Sequence, residues 1–159
     1  LDEMNTMVAT SRRGLITSIV LIVAIAAITN GALAMFHLNA TVERWPSFAP
    51  RGPAIGVIWI ALFAGMGAAY WLSGRDRAVA VLIVLCLAYP FYTHLISGHL
   101  TELIGNIVTL LYASWLAYRL RATPIASIFI ACVAAWVVFA TALVIALVQL
   151  NGWSPPGSS

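Results

Sequence analysis

Ile125-Ala126-Ser127-Ile128-Phe129-Ile130-Ala131-Cys132-Val133-Ala134-Ala135-Trp136-Val137-Val138-Phe139-Ala140-Thr141-Ala142-Leu143-Val144-Ile145-Ala146-Leu147-Val148-Gln149-Leu150 runs without one charged side chain. A helix rises about 1.5 Å per residue and the hydrocarbon layer of a bilayer is about 30 Å thick, so about 20 apolar residues cross it. This run is long enough. Working outward, four more apolar runs stand at about 14–36, 53–72, 78–96 and 100–118. Strands of a membrane barrel would need a polar residue at every second position, and none of the runs alternates in that way. The pattern predicts an all-α integral membrane protein, a five-helix bundle forming one transmembrane domain over residues 1–159.

Composition agrees, with 62% hydrophobic residues, 8% charged residues and a mean hydropathy of +0.98. A water-soluble domain of 159 residues has no core large enough to hide that much apolar surface. The breaks are chemically distinct: Ser73-Gly74-Arg75-Asp76-Arg77, Ser97-Gly98-His99 and Arg119-Leu120-Arg121-Ala122-Thr123-Pro124 carry the charges or the helix-ending Gly and Pro. Residues 37–52 form the one long connection. Arg12 and Arg13 ahead of the first run, with Ala32-Leu33-Ala34 near its end, resemble a secretory signal, but the apolar stretch is too long, so an uncleaved first helix is expected.

Lysine is absent, which excludes a retinal Schiff base, and topology rests on arginine alone. Arg12, Arg13, Arg75, Arg77, Arg119 and Arg121 fall on one side of a five-helix weave, Arg44 and Arg51 on the other, which favours a cytoplasmic N-terminus. The pI of about 9.2 calls for no nucleic-acid partner, since the positive charge is scattered over loops as topology demands. Cys86 and Cys132 fall inside predicted helices, and no Cys/His spacing suggests a metal.

Nor does the chain carry a catalytic constellation. Its five acids, Asp2, Glu3, Glu43, Asp76 and Glu102, lie at termini, in loops or at a helix start, where solvated charges are expected. No Ser, His and acid form a nucleophilic pattern, so a non-enzymatic protein without catalytic or metal-ligating residues is expected. His94 and His99 flank a break and His37 ends the first run; interfacial histidines bonded to water or backbone are expected.

Small residues bring membrane helices together. Gly52 and Gly56, then Ala61, Gly65 and Ala69, mark the second run; Ala131, Ala135, Ala142 and Ala146 mark the fifth. Pro90 should kink or end the third helix. Asn30 sits inside the first, where a buried amide needs a partner, and is expected to face the bundle and line a cavity or bond across helices. Of six tryptophans, Trp45, Trp71, Trp115 and Trp153 lie near predicted helix ends, as an aromatic belt would. Trp59 and Trp136 are deeper, placed to wall a pocket for a flat ligand or to pack a core. Leu116-Ala117-Tyr118-Arg119-Leu120-Arg121 fits the loose cholesterol-contact pattern, although Tyr and Arg are expected at a helix end in any case.

Two segments carry a family resemblance. Pro46-Ser47-Phe48-Ala49-Pro50-Arg51, then Trp59, Leu62-Phe63 and Met66-Gly67, and in the last run Trp136, Phe139-Ala140, Leu143 and Leu150-Asn151, resemble the TspO/MBR family of tryptophan-rich sensory and translocator proteins. The likeness is strongest over residues 45–72 and 126–151. It implies a five-helix membrane protein that binds or translocates a hydrophobic small molecule, porphyrin-like, pigment or sterol-like, in a cleft between helices capped by the first loop. By position, the implied ligand contacts are Trp59, Phe63, Trp136, Phe139, Ala140 and Leu143, with Phe48 and Pro50 in a lid over residues 37–52.

The departures concentrate at polar positions: Val144 stands for the family's Asn, Val133 for its Tyr, and Pro90 for the third-helix Asn. Such losses weaken the case for a carboxylated porphyrin and leave a tetrapyrrole, a carotenoid, a quinone or another apolar ligand open. A rival reading is a structural subunit that packs its small-residue faces against a larger membrane assembly, such as a pigment–protein complex; a homodimer also stays open. An enzyme degrading tetrapyrroles through Trp59 or Trp136 would need an acid–base constellation, which is lacking.

Overall fold

In a computed structural model, the chain is described over residues 2–35, 44–95 and 99–153. Five helices follow one another: α1 (Asp2–Met35), α2 (Gly52–Leu72), α3 (Arg77–Leu95), α4 (His99–Arg119) and, after a single 3-10 turn at Leu120–Ala122, α5 (Pro124–Asn151). Among the described residues there is no strand. Four segments, Ser11–Ala32, Gly52–Leu72, His99–Ala122 and Pro124–Asn151, are long and apolar enough to cross a membrane. The third helix is apolar as well over Arg77–Thr93.

Helices α2 to α5 begin and end within two residues of the sequence expectation; α1 does not. It starts at Asp2 rather than near Gly14, because the polar stretch before the apolar run continues the helix. Nor does Pro90 end α3, which runs through it to Leu95.

The helices pack in the order α1, α2, α5, α4, α3, with α3 returning to α2. Helix α2 is the hub, buried through five successive residues, Gly65 to Ala69. Its faces serve different neighbours: a Cβ on Gly67 would meet the backbone of Ile19 at 2.9 Å, and one on Gly65 would meet the Phe129 ring at 3.0 Å. Side chains also bond to carbonyls across helices: Ser18 Oγ to Gly67 O (2.9 Å), Tyr112 Oη to Ala78 O (3.0 Å) and Ser127 Oγ to Ala117 O (2.7 Å). Such bonds hold where apolar attraction between helices is weak. By contrast, Gly52 and Gly56 face open space and Ala61, Ala131, Ala135 and Ala142 are exposed, so much of the small-residue pattern marks no contact within this bundle.

The two ends sort the charges as the weave requires. Arg119 Nη1 donates to Asp76 Oδ2 at 2.7 Å, and Trp71 lies on Gly14, so the arginines flanking the start of the apolar part of α1, the α2–α3 loop and the end of α4 share one end. At the other end, Asn151 Nδ2 donates to Arg44 O (3.0 Å) and Arg44 N donates to Asn151 Oδ1 (3.2 Å), tying the first loop to the tail of α5.

Asp76 is therefore more than a solvated loop charge: its Oδ1 accepts from Ala78 N at 2.8 Å, capping α3. That backbone bond lowers the carboxyl pKa against the opposing effect of partial burial, and Arg119 lowers it further. A depressed native pKa gives stability that is complete above the ordinary aspartate value and lost as pH falls through the native one. Asp76→Ala is expected to cost about 1–2 kcal/mol. Asp76→Asn, which keeps a capping acceptor, should cost less than about 1 kcal/mol. Thermal unfolding in detergent at pH 7 and pH 3 checks this: the gap between wild type and Asp76→Ala should shrink at pH 3, and an unchanged gap would refute it.

Candidate functional site

A cavity of about 160 Å³, partly open to the outside, lies among α2, α3, α4 and α5 in the half of the bundle nearest the first loop. Ile55 and Trp59 come from α2, Cys86 and Tyr89 from α3, Glu102, Asn106 and Thr109 from α4, and Trp136, Val137, Ala140, Leu143 and Val144 from α5.

Its aromatic wall is a relay of rings. Trp59 leans on Phe63 (centroids 5.7 Å apart) and meets Trp136 edge to face (6.4 Å), Trp136 stacks on Phe139 (5.3 Å), and Phe139 meets Phe48 of the first loop edge to face (6.2 Å). These spacings are those at which aromatic pairs attract. The two deep tryptophans are thus held by neighbours on both sides and present fixed faces to the cavity.

Of the residues named from sequence, Trp59, Trp136, Ala140 and Leu143 line the cavity. Phe63 is buried behind Trp59 and Phe139 is half-buried behind Trp136, so both support the wall rather than form it. Phe48 is exposed and reaches the site only through Phe139; Pro50 is half-buried and does not line it. Residues 37–43 of the expected lid, with His37, lie outside the described residues.

Asn30 is placed elsewhere. It is exposed and its Nδ2 donates to Ala26 O, 3.0 Å away on its own helix. The reason is α1's position: it packs on the flank of α2 through Gly67, and none of its described residues reaches the cavity. An amide satisfied by its own helix needs no partner in the bundle.

The polar wall is what sequence reasoning missed. Val144 and Cys86 do line the site as apolar surfaces and Val133 lies in the core, but Tyr89 and the polar side chains of α4 supply the hydrogen-bonding groups. Glu102, assigned to solvent from its place at a helix start, is part of the wall, its Oε2 3.0 Å from His99 Nδ1. Asn106 and Thr109 are 3% and 5% exposed. A signal for them was present: Glu102, Asn106 and Thr109 recur at i, i+4 and i+7, one stripe on an otherwise apolar membrane helix, and such a stripe turns inward.

Two donors in this wall, Asn106 Nδ2 and Trp136 Nε1, are buried and lack a hydrogen-bond partner among the described residues. Chemically, the site can stack a flat group and enclose apolar surface beside the polar residues Tyr89, Glu102, Asn106 and Thr109. Among the described residues no group of three or more His, Cys, Asp or Glu could hold a metal ion.

Comparison with known proteins adds one match. The family model described as TspO/MBR family matches residues 18–150. No curated protein and no solved structure matches the chain.

Proposed function

The chain belongs to the TspO/MBR family, and from that membership we propose that it binds, and in doing so senses or carries, a hydrophobic small molecule in the cavity among α2 to α5. It is a multi-pass membrane protein in contact with lipid. The observation that carries the reading is the cavity itself: two tryptophan faces braced by Phe63 and Phe139, opposite a polar stripe from α4, have the make-up of a ligand pocket. In this reading the protein is not an enzyme; it sits in a bacterial inner membrane with its N-terminus in the cytoplasm, and the first loop, pinned to α5 by Asn151, touches the back of the aromatic wall where Phe48 meets Phe139.

The outward small residues of α5, Ala131, Ala135 and Ala142, favour a second reading, a structural subunit of a larger membrane assembly, because close helix approach is what such residues permit. One preparation separates the two. The protein is purified gently from its native membrane, its absorption spectrum and extractable small molecules are measured, and co-purifying chains are identified. A stoichiometric apolar ligand on the isolated chain is expected. An empty chain that arrives only with fixed partners would overturn the binding reading in favour of the subunit.

A further inference from the structure

We infer that the corner where α1 meets the α2–α3 loop is a headgroup site for an anionic phospholipid, with Arg12, Arg13 and Arg75 as its cations and the Trp71 ring joining the two segments that carry them. The site stands apart from the ligand cavity, which lies in the other half of the bundle.

One indole builds the corner. Trp71, next to the last residue of α2, lies against Gly14 of α1, where a Cβ would overlap its ring. Only glycine admits a ring that close, and Gly14 directly follows Arg12 and Arg13. The Arg75 guanidinium carbon stands over the same ring, 4.8 Å from its centroid. All three arginines are exposed. Gly14 is near the start of the span Ser11–Ala32 and Trp71 near the end of the span Gly52–Leu72, so the corner falls at the membrane edge, the depth of lipid headgroups.

Arg75 is positioned by its backbone. Gly74 N donates to Trp71 O (3.1 Å) and Arg75 N donates to Tyr70 O (2.8 Å), folding the chain back over the end of α2. Both residues take a left-handed conformation, Arg75 with φ +64°, and among the described residues it is the one non-glycine that does so. Side chains seldom accept that region, and such strain gathers at working sites. A guanidinium held over an aromatic face keeps its N–H fork free at the edge, and that fork matches a phosphate.

The charge is uncompensated. Arg119 engages Asp76, whereas Arg12, Arg13 and Arg75 have no ion-pair partner among the described residues. Asp2 and Glu3 stand nine or more residues before Arg12, about 14 Å of helix rise, which exceeds the Debye length of about 8 Å at physiological salt. A zwitterionic headgroup would bring a cation of its own to this corner; an anionic one would not, and each arginine near it adds attraction. Orientation in the membrane asks only for positive charge on this side. It does not ask for an arginine in left-handed backbone stacked on a tryptophan that is notched into α1.

The test gives the full chain, in neutral detergent, equal amounts of phosphatidylglycerol and phosphatidylcholine with matched acyl chains, and native mass spectrometry reads which lipid is retained first. The wild type is expected to prefer phosphatidylglycerol about 20-fold. Arg75→Gln should lower the preference about fivefold, and the triple variant Arg12→Gln, Arg13→Gln, Arg75→Gln should bring it within about twofold of none. Arg51→Gln, which removes the same charge from the opposite end, should leave it unchanged. Circular dichroism confirms folding; if the triple variant does not fold, Arg75→Gln against Arg51→Gln decides. Equal retention of the two lipids by the wild type, a preference that survives in the folded triple variant, or a loss in Arg51→Gln as large as that in Arg75→Gln would overturn the inference.

Discussion

Gly67→Leu is expected to lower the stability of the bundle by about 3 kcal/mol and its melting temperature in detergent by about 10 °C. The argument is geometric. A Cβ at Gly67 would lie 2.9 Å from Ile19 Cα, 3.2 Å from Ser18 O and 3.3 Å from Ile19 N, all backbone atoms of α1. Backbone cannot rotate aside as a side-chain tip can, so α1 must withdraw. Withdrawal breaks the bond from Ser18 Oγ to Gly67 O and removes α1 from its main neighbour. Overpacking of this kind costs about 1–3 kcal/mol, and the lost interhelical bond adds about 1 kcal/mol. Gly56→Leu is the control: a Cβ there meets nothing within 4 Å, and no measurable loss is expected. Equal melting temperatures for wild type and Gly67→Leu would refute the assigned α1–α2 contact.

Gly67 also shows which parts of the bundle sequence can reveal. Apolar run length identified the helices, because the bilayer sets their span. Contact faces were less visible. In a soluble helix the polar face marks the outside, but α2 is apolar all round, with Gly65 turned to α5 and Gly67 to α1, so four-residue spacing from Gly52 onward followed a face that is partly exposed. Helix starts outside the membrane escaped the same signal, and α1 begins well before its apolar stretch.

The site divides along a similar line. Depth within the runs was enough to single out Trp59 and Trp136, and the family pattern added Ala140 and Leu143, all of which border the cavity. Polar residues were harder, since the same chemistry had two outcomes. Asn30 bonds to Ala26 O one turn back and faces outward, whereas Asn106, with Tyr92 packed over the neighbouring Gly105, is sealed between α3 and α4. What distinguishes them is the neighbouring helix, and no local pattern states that. The stripe formed with Glu102 and Thr109 was the usable clue.

Trp136→Ala should cut the amount of apolar ligand that co-purifies with the chain to about one-tenth or less of the wild-type content. The indole offers a bound ring a face, fixed by stacking on Phe139 at 5.3 Å and by the edge contact with Trp59 at 6.4 Å. Losing about 80 Å² of apolar contact is worth about 2 kcal/mol. That corresponds to about 30-fold in affinity, enough to strip a ligand during purification even after partial collapse of the enlarged cavity. Some folding stability goes with the ring, but less than the 3–5 kcal/mol typical of a wholly buried Trp→Ala, because one face already borders empty space. Trp115→Ala serves as the comparison, since Trp115 is half exposed in α4 and does not line the cavity; its ligand content should match the wild type. Full ligand content in folded Trp136→Ala would mean that the molecule is held elsewhere on the bundle.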